Sequence, residues 1–365
     1  MLAKTGKIAF ANQLRGLAVL LVMIGHLLLL FWHAPELVSA AVLAPAPQAE
    51  IPWIAHVLAS VREINFGALG VSLFFLISGF VIPISLQTRS AGAFGLARLL
   101  RIFPTYWAGL AVQVGVLLLV GWVWNAEPDL SLRRVLANAL LLFNFAHVRS
   151  IDTVNWTLVV EAQFYVLAAL GAGFLREGRV SALVGVWLIS VIGNLAFGRM
   201  GVMLGEAWAT RAITLGSYSA ALGFMTLGTV FNFHLRGRLS TRALSLLTGL
   251  GFALFVLSWA VGPSAAETDL IGVSYGLGLA IFATGYALRD RFRSVALFDG
   301  LAAISYPLYL VHAVLGYAVM RHAMAAWGWG YPAALSLALV LILATATALH
   351  VSVERWSIAA GRRVS

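Results

Sequence analysis

Arg15-Gly-Leu-Ala-Val-Leu-Leu-Val-Met-Ile-Gly-His26 lies inside an apolar run over about residues 12–32. A helix needs about 20 mostly apolar residues to cross the hydrocarbon core of a bilayer, and this run has that length. It is longer than the apolar segment of a secretory signal, and it holds two ionisable groups that such a segment avoids. The stretch therefore reads as a transmembrane helix with an arginine near one end and a histidine deep inside. Nine further runs of the same kind follow, at about 67–86, 104–124, 154–175, 180–198, 212–232, 243–262, 270–288, 300–320 and 331–352. The run 132–145 is too short to span. It opens with Arg133 and Arg134 and reads as a short interfacial helix.

Bulk composition agrees with that reading. Of 365 residues, 61% are apolar and 10% are charged, where soluble domains hold about 45–50% and about 25%. So few charges cannot cover a water-soluble surface, and so much apolar content excludes disorder. The chain has no cysteine, which excludes disulfides, thiolate metal sites and a thiol nucleophile. No metal site is expected.

The net charge of +10 would suggest nucleic acid in a soluble chain. Here the basic residues stand in short clusters between apolar runs, so the expected partner is the lipid bilayer and not nucleic acid. Assigning successive loops to alternate sides puts 17 of the 24 Lys and Arg on one side, Lys4 and Lys7 among them, and 7 on the other. The positive-inside rule makes the richer side cytoplasmic. The expected fold is an all-α integral membrane protein with ten transmembrane helices, N-in and C-in, in the cell (inner) membrane. Residues 1–365 are expected to form one transmembrane domain with no appended soluble domain.

Ionisable groups at mid-membrane cost ~2.5–3.5 kcal/mol on insertion scales and so usually have a task or a partner. Arg15 and His26 are eleven residues apart, nearly three full turns, which puts both on one helix face. Glu161 lies about as far from the outer end of its run as His26 does from the end of its own. Matching depths let the carboxylate accept from one imidazole nitrogen and leave the other basic, as a general base requires. A structural ion pair is the alternative. Tyr165, four residues on, shares the Glu161 face. His312 closes Ile304-Ser-Tyr-Pro-Leu-Tyr-Leu-Val-His312 and has no evident partner. Arg98 and Arg101, at i and i+3 on the cytoplasmic side, suit a polyphosphate. Ser78 lies in Gly70-Val-Ser-Leu-Phe-Phe-Leu-Ile-Ser-Gly-Phe80, whose glycines permit close helix approach. There is no P-loop, HExxH or GxSxG motif.

Five blocks in order resemble the membrane-bound acyltransferase-3 family. They are Arg15 with His26, Gly70–Phe80, Arg98-Leu-Leu-Arg101-Ile-Phe-Pro-Thr-Tyr106-Trp107, Trp156-Thr-Leu-Val-Val-Glu161-Ala-Gln-Phe-Tyr165, and Ile304–His312. The resemblance implies transfer of an acyl group, commonly acetyl, from cytoplasmic acyl-CoA to a hydroxyl of a sugar, lipid-linked glycan or small molecule. It implies that His26 is the essential histidine, Glu161 the conserved acid, Arg15 the motif partner, and Arg98 with Arg101 the donor-binding pair. Ser78, Tyr106, Trp156, Tyr165, Tyr309 and His312 are expected to contact substrate or support the site. The chain end, Val353-Glu354-Arg355-Trp356, lacks a proline common in the family, which weakens any role for Glu354.

The expected chemistry has His26 as general base oriented by Glu161, with donor phosphates on the arginines. The outer loops 33–66 and 125–153 are expected to shape acceptor choice. A proton-coupled transporter or flippase using the same intramembrane His and Glu is the alternative.

Overall fold

The computed structural model describes residues 9–364. Among them ten helices are long and apolar enough to cross a membrane. They are α1 (Ala9–His33), α2 (Phe66–Ser85), α3 (Ala91–Trp124), α4 (Thr153–Leu170), α5 (Val180–Gly201), α6 (Trp208–Leu235), α7 (Thr241–Ala260), α8 (Ala265–Ala287), α9 (Ala296–Trp327) and α10 (Tyr331–Arg363). No strand occurs among the described residues. Each of the ten expected spans has its helix; Lys4 and Lys7 lie outside the described residues.

Helix ends alternate between two ends of the bundle. At one, here called the basic end, Arg176 donates to the carbonyls of Leu86 and Arg89, and Arg236 donates to those of Leu175 and Arg176, knitting three connections together. At the far end, the fully buried Arg321 donates to the carbonyls of Pro35 and Pro45 and lies over the Phe31 ring. One arginine thus pins the 33–66 connection, which folds as two short helices, Pro35–Val42 and Trp53–Ala59.

Small residues set the packing. A Cβ on Gly70 would meet the Ala18 carbonyl at 2.6 Å, and one on Gly25 the Gly67 amide at 2.5 Å, so α1 and α2 touch backbone to backbone. On the opposite side of α2, a Cβ on Gly79 would overlap the Met225 carbonyl of α6. Thr229 and Asn232 of α6 then reach the carbonyls of Gly79 and Phe80 at 3.0 and 2.8 Å. Lipid tails offer no hydrophobic drive between helices, so close approach and interhelical hydrogen bonds hold the bundle. α2, α6 and α9 form its interior, while α5 and α7 turn outward.

Several boundaries differ from the sequence expectation, and four of the differences matter here. α3 starts at Ala91 and not at about 104, because Ser90 caps it by accepting from the Ala93 amide, and Pro104 is carried inside the helix. Neighbouring helices make an internal proline tolerable in a membrane, and Arg98 and Arg101 therefore stand on a rigid helix. α10 continues past 352 to Arg363 through a π-turn, His350–Glu354, where His350 Nδ1 lies 2.6 Å from the buried Glu354 carboxylate. α4 ends at Leu170, five residues early, at a bend on Gly171. The interfacial helix is shorter, Leu132–Ala139. Its arginines turn inward: Arg134 donates to the Asp129, Arg149 and Ser150 carbonyls, and Arg133 to that of Ala146.

That far-end connection carries a buried carboxyl. Asp152 is 1% exposed and accepts from Gln113 Nε2 at 3.1 Å and the Val154 amide at 3.2 Å. Burial pushes its pKa up to about 7, against the hydrogen bond from the Val154 amide, which favours the charged form.

Candidate active site

α1 departs from α-helical geometry where the sequence is most informative. Residues Ile24–Leu30, His26 among them, form a π-helical segment, a rare feature that recurs at functional sites. His26 Nδ1 lies 2.8 Å from the Val22 carbonyl. A carbonyl only accepts, so this partner assigns the proton of the neutral ring to Nδ1. By the same argument His312 Nδ1, 2.7 Å from the Tyr309 carbonyl, carries the proton of its ring. His312 Nε2 is then a lone pair, and it lies 3.4 Å from His26 Nδ1. The rings meet edge to face, with centroids 4.9 Å apart. His26 Nε2 is left as the bare nitrogen of the pair.

Two cavities flank this arrangement. The first is lined by Arg15, Ser78, Arg101, Glu161, Tyr165 and Tyr306, with Tyr309 also in its wall. Tyr165 donates to Glu161 Oε1 at 2.5 Å, and Ser78 donates to the same oxygen at 3.3 Å. Among the described residues Arg15 and Arg101 make no side-chain hydrogen bond and no ion pair. Arg98 stands outside the lining, its guanidinium over the Phe94 and Tyr165 rings at 5.2 and 5.4 Å.

The second cavity lies toward the far end and is lined by His26, Trp156, Tyr218, Trp259, Glu267 and Tyr275, among others. Trp156 stacks on Tyr218 at 6.1 Å. Val71 and Tyr309 line both cavities, so they form the wall between them. The Tyr309 hydroxyl is tied to Thr157 Oγ1 at 2.8 Å and donates to the Val154 carbonyl at 3.1 Å.

The expected hydrogen bond between Glu161 and His26 is not made. Glu161 belongs to the arginine cavity, while His26 is held by Val22 and His312. The entry to α4 is packed inside the protein, with Asp152, Val154 and Asn155 1%, 2% and 0% exposed, and Glu161 shares the first cavity with Arg15 and Arg101.

Tyr106 reaches neither cavity. Its hydroxyl donates to the Asn138 carbonyl at 2.8 Å and secures the interfacial helix. The loops 33–66 and 125–153 contribute only Asn65 to the far cavity; its wall is mostly α6, α7 and α8. Tyr218, Trp259, Tyr275 and Glu267 escaped the sequence reading. Aromatic residues in apolar spans carry no distinguishing signal, and Glu267 looks like any loop acid.

The arginine-lined cavity thus stands on one side of the Val71–Tyr309 wall, and the cavity lined by His26 on the other. The chain belongs to the acyltransferase-3 family, whose model, described as an acyltransferase domain, matches residues 8–351. It is therefore a membrane acyltransferase, and this membership separates acyl transfer from the transporter alternative. Nodulation protein 10 of Rhizobium leguminosarum bv. viciae is 33% identical over 141 residues, 34% of this chain and 38% of that protein. The exopolysaccharide production protein ExoZ of Rhizobium meliloti (strain 1021) is 29% identical over 221 residues, 54% of this chain and 67% of that protein. The match to the first relative thus spans well under half its length. No solved structure matches the chain.

Proposed function

We propose that this acyltransferase takes an acyl group, acetyl in the first instance, from acyl-CoA entering at the basic end and passes it to a hydroxyl acceptor in the far cavity. The basic end is assigned to the cytoplasm of the inner membrane by the loop charges, giving N-in and C-in. Donor phosphates would meet Arg15 and Arg101, with Arg98 beside them. Neither guanidinium is hydrogen-bonded or ion-paired among the described residues, although the Glu161 carboxylate lines the same cavity, so both are free to take an anion. The thioester would then pass the wall at Val71 and Tyr309 toward His26.

There the acceptor hydroxyl loses its proton to His26 Nε2 as its oxygen attacks the thioester carbon. The carbon–sulfur bond breaks, and the proton passes from His26 to the departing thiolate. His312 Nε2 accepts from His26 Nδ1–H and holds the ring while it is charged, the part that sequence reading gave to Glu161. Glu161 instead orders the donor cavity through Tyr165 and Ser78. A glycan acceptor is favoured by the similarity to ExoZ, a protein of exopolysaccharide production.

The observation that carries the reading is the juxtaposition of two unpaired arginines and a bare imidazole nitrogen across a single wall. The test is transfer of radiolabelled acetyl from acetyl-CoA by membranes holding wild type or His26→Ala. The expected result is loss of transfer with donor binding retained; near-normal transfer in His26→Ala overturns the assignment.

A further inference from the structure

The far cavity has a character of its own. Trp156 stacked on Tyr218, together with Trp259 and Tyr275, gives it flat apolar walls. Such faces suit the C–H faces of pyranose rings, as amphipathic aromatic side chains do wherever one side is apolar and the other polar. Asn65, Thr214 and Ser217 add polar atoms to the same lining.

Glu267 is the one carboxylate among the lining residues, and His26 is the only other titratable side chain there apart from the tyrosines. It is exposed, at the mouth, and makes no ion pair among the described residues. Although it stands at the N-cap of the helix Thr268–Ala287, its side chain does not cap that helix. The carboxylate is therefore free to act on whatever enters. A second negative charge brought beside it meets repulsion.

We infer that α6, α7 and α8 read the acceptor, and that Glu267 is the specificity-determining residue that admits neutral or basic saccharides and rejects acidic ones. This rests on the proposed function, which places the acceptor in the far cavity. Specificity then lies in helix faces and not in the long loops at the far end.

The experiment uses the full chain in proteoliposomes, with acetyl-CoA as donor. The acceptor is a mixture of neutral and uronic-acid-containing oligosaccharides from a polysaccharide hydrolysate, and acetylated products are read by mass spectrometry. Wild type should acetylate the neutral class preferentially. Glu267→Gln should narrow that preference about tenfold, the scale of removing one partly screened like-charge contact. Asp269→Asn, an exposed acid nearby outside the lining, should leave it unchanged. An unaltered preference in Glu267→Gln, a wild-type preference for acidic acceptors, or acetylation of neither class overturns the inference. Equilibrium binding of radiolabelled acetyl-CoA is measured alongside. Donor binding without saccharide acetylation sinks this inference alone, whereas loss of donor binding sinks the reading on which it rests.

Discussion

His312 Nε2 lies 3.4 Å from His26 Nδ1, and each ring is anchored by a backbone carbonyl on its own helix. The pair resembles the base-and-orienter half of a catalytic triad, with a neutral imidazole where a carboxylate usually stands. On the proposed reading His312 orients the neutral His26 ring without adding a charge beside it.

The first expectation is that His312→Ala lowers kcat about 10–100-fold, the usual cost of removing a group that orients a reacting residue, with the KM for acetyl-CoA unchanged. His312→Gln retains an acceptor oxygen at comparable reach and should recover most of that loss. A purely packing role for His312 would give the opposite order of recovery, or a parallel fall in the amount of folded protein. Steady-state kinetics on detergent-purified variants, normalised to folded protein by size-exclusion chromatography, decides between these.

Glu161 offers a contrast within the same molecule. It accepts from Tyr165 and Ser78 in the cavity lined by Arg15 and Arg101. Glu161→Gln should therefore act on the donor, raising the KM for acetyl-CoA more than it lowers kcat. A fall in kcat as deep as that of His312→Ala, at unchanged donor KM, would restore a direct partnership of the carboxylate with His26.

The arginines should behave as anion ligands. Arg15→Ala and Arg101→Ala are each expected to raise the donor KM about 10–100-fold, the scale of one lost charge-assisted hydrogen bond. Lysine at either position should recover part of the loss, since it keeps the charge but not the planar fork. Titration of acetyl-CoA at two salt concentrations checks this. Wild-type affinity should weaken with salt, and Arg101→Ala should lose part of that dependence.

Much of this was legible in the linear chain. Run length and hydropathy located ten helices because a bilayer imposes a length on every span. Arg15 lines the first cavity and His26, eleven residues further along α1, the second. Gly70 and Gly79 do serve helix contact. The misplacements share a physical origin, for hydropathy reports which residues prefer lipid but not where a helix begins within the protein. Pro104 looked like a helix start and is an interior residue, because Ser90 supplies an earlier cap. Asp152 looked like an outer-loop residue and is buried, and Glu161 lines the cavity of Arg15 and Arg101 while His26 lines the other. His312 appeared partnerless because its partner is 286 residues away, a relation that no local pattern encodes.

Asp152 yields a pH dependence whose sign is fixed by its surroundings. Its carboxyl has an ordinary value of 3.8 and rises to about 7 in the folded protein, chiefly through burial. Between those values the folded state holds a proton that the unfolded state has released. Stability therefore falls as pH rises across this window, by several kcal/mol in the limit set by the shift. Below 3.8 both states are protonated and the difference vanishes. Asp152→Asn keeps an acceptor oxygen for the amide of Val154 but cannot ionise. Thermal unfolding in nanodiscs from pH 4 to 7 should show wild-type Tm declining relative to Asp152→Asn, with the two closest at the acid end. Parallel curves, or a wild-type Tm that climbs relative to the variant, would mean that the carboxyl is charged throughout and that water reaches this connection at the far end.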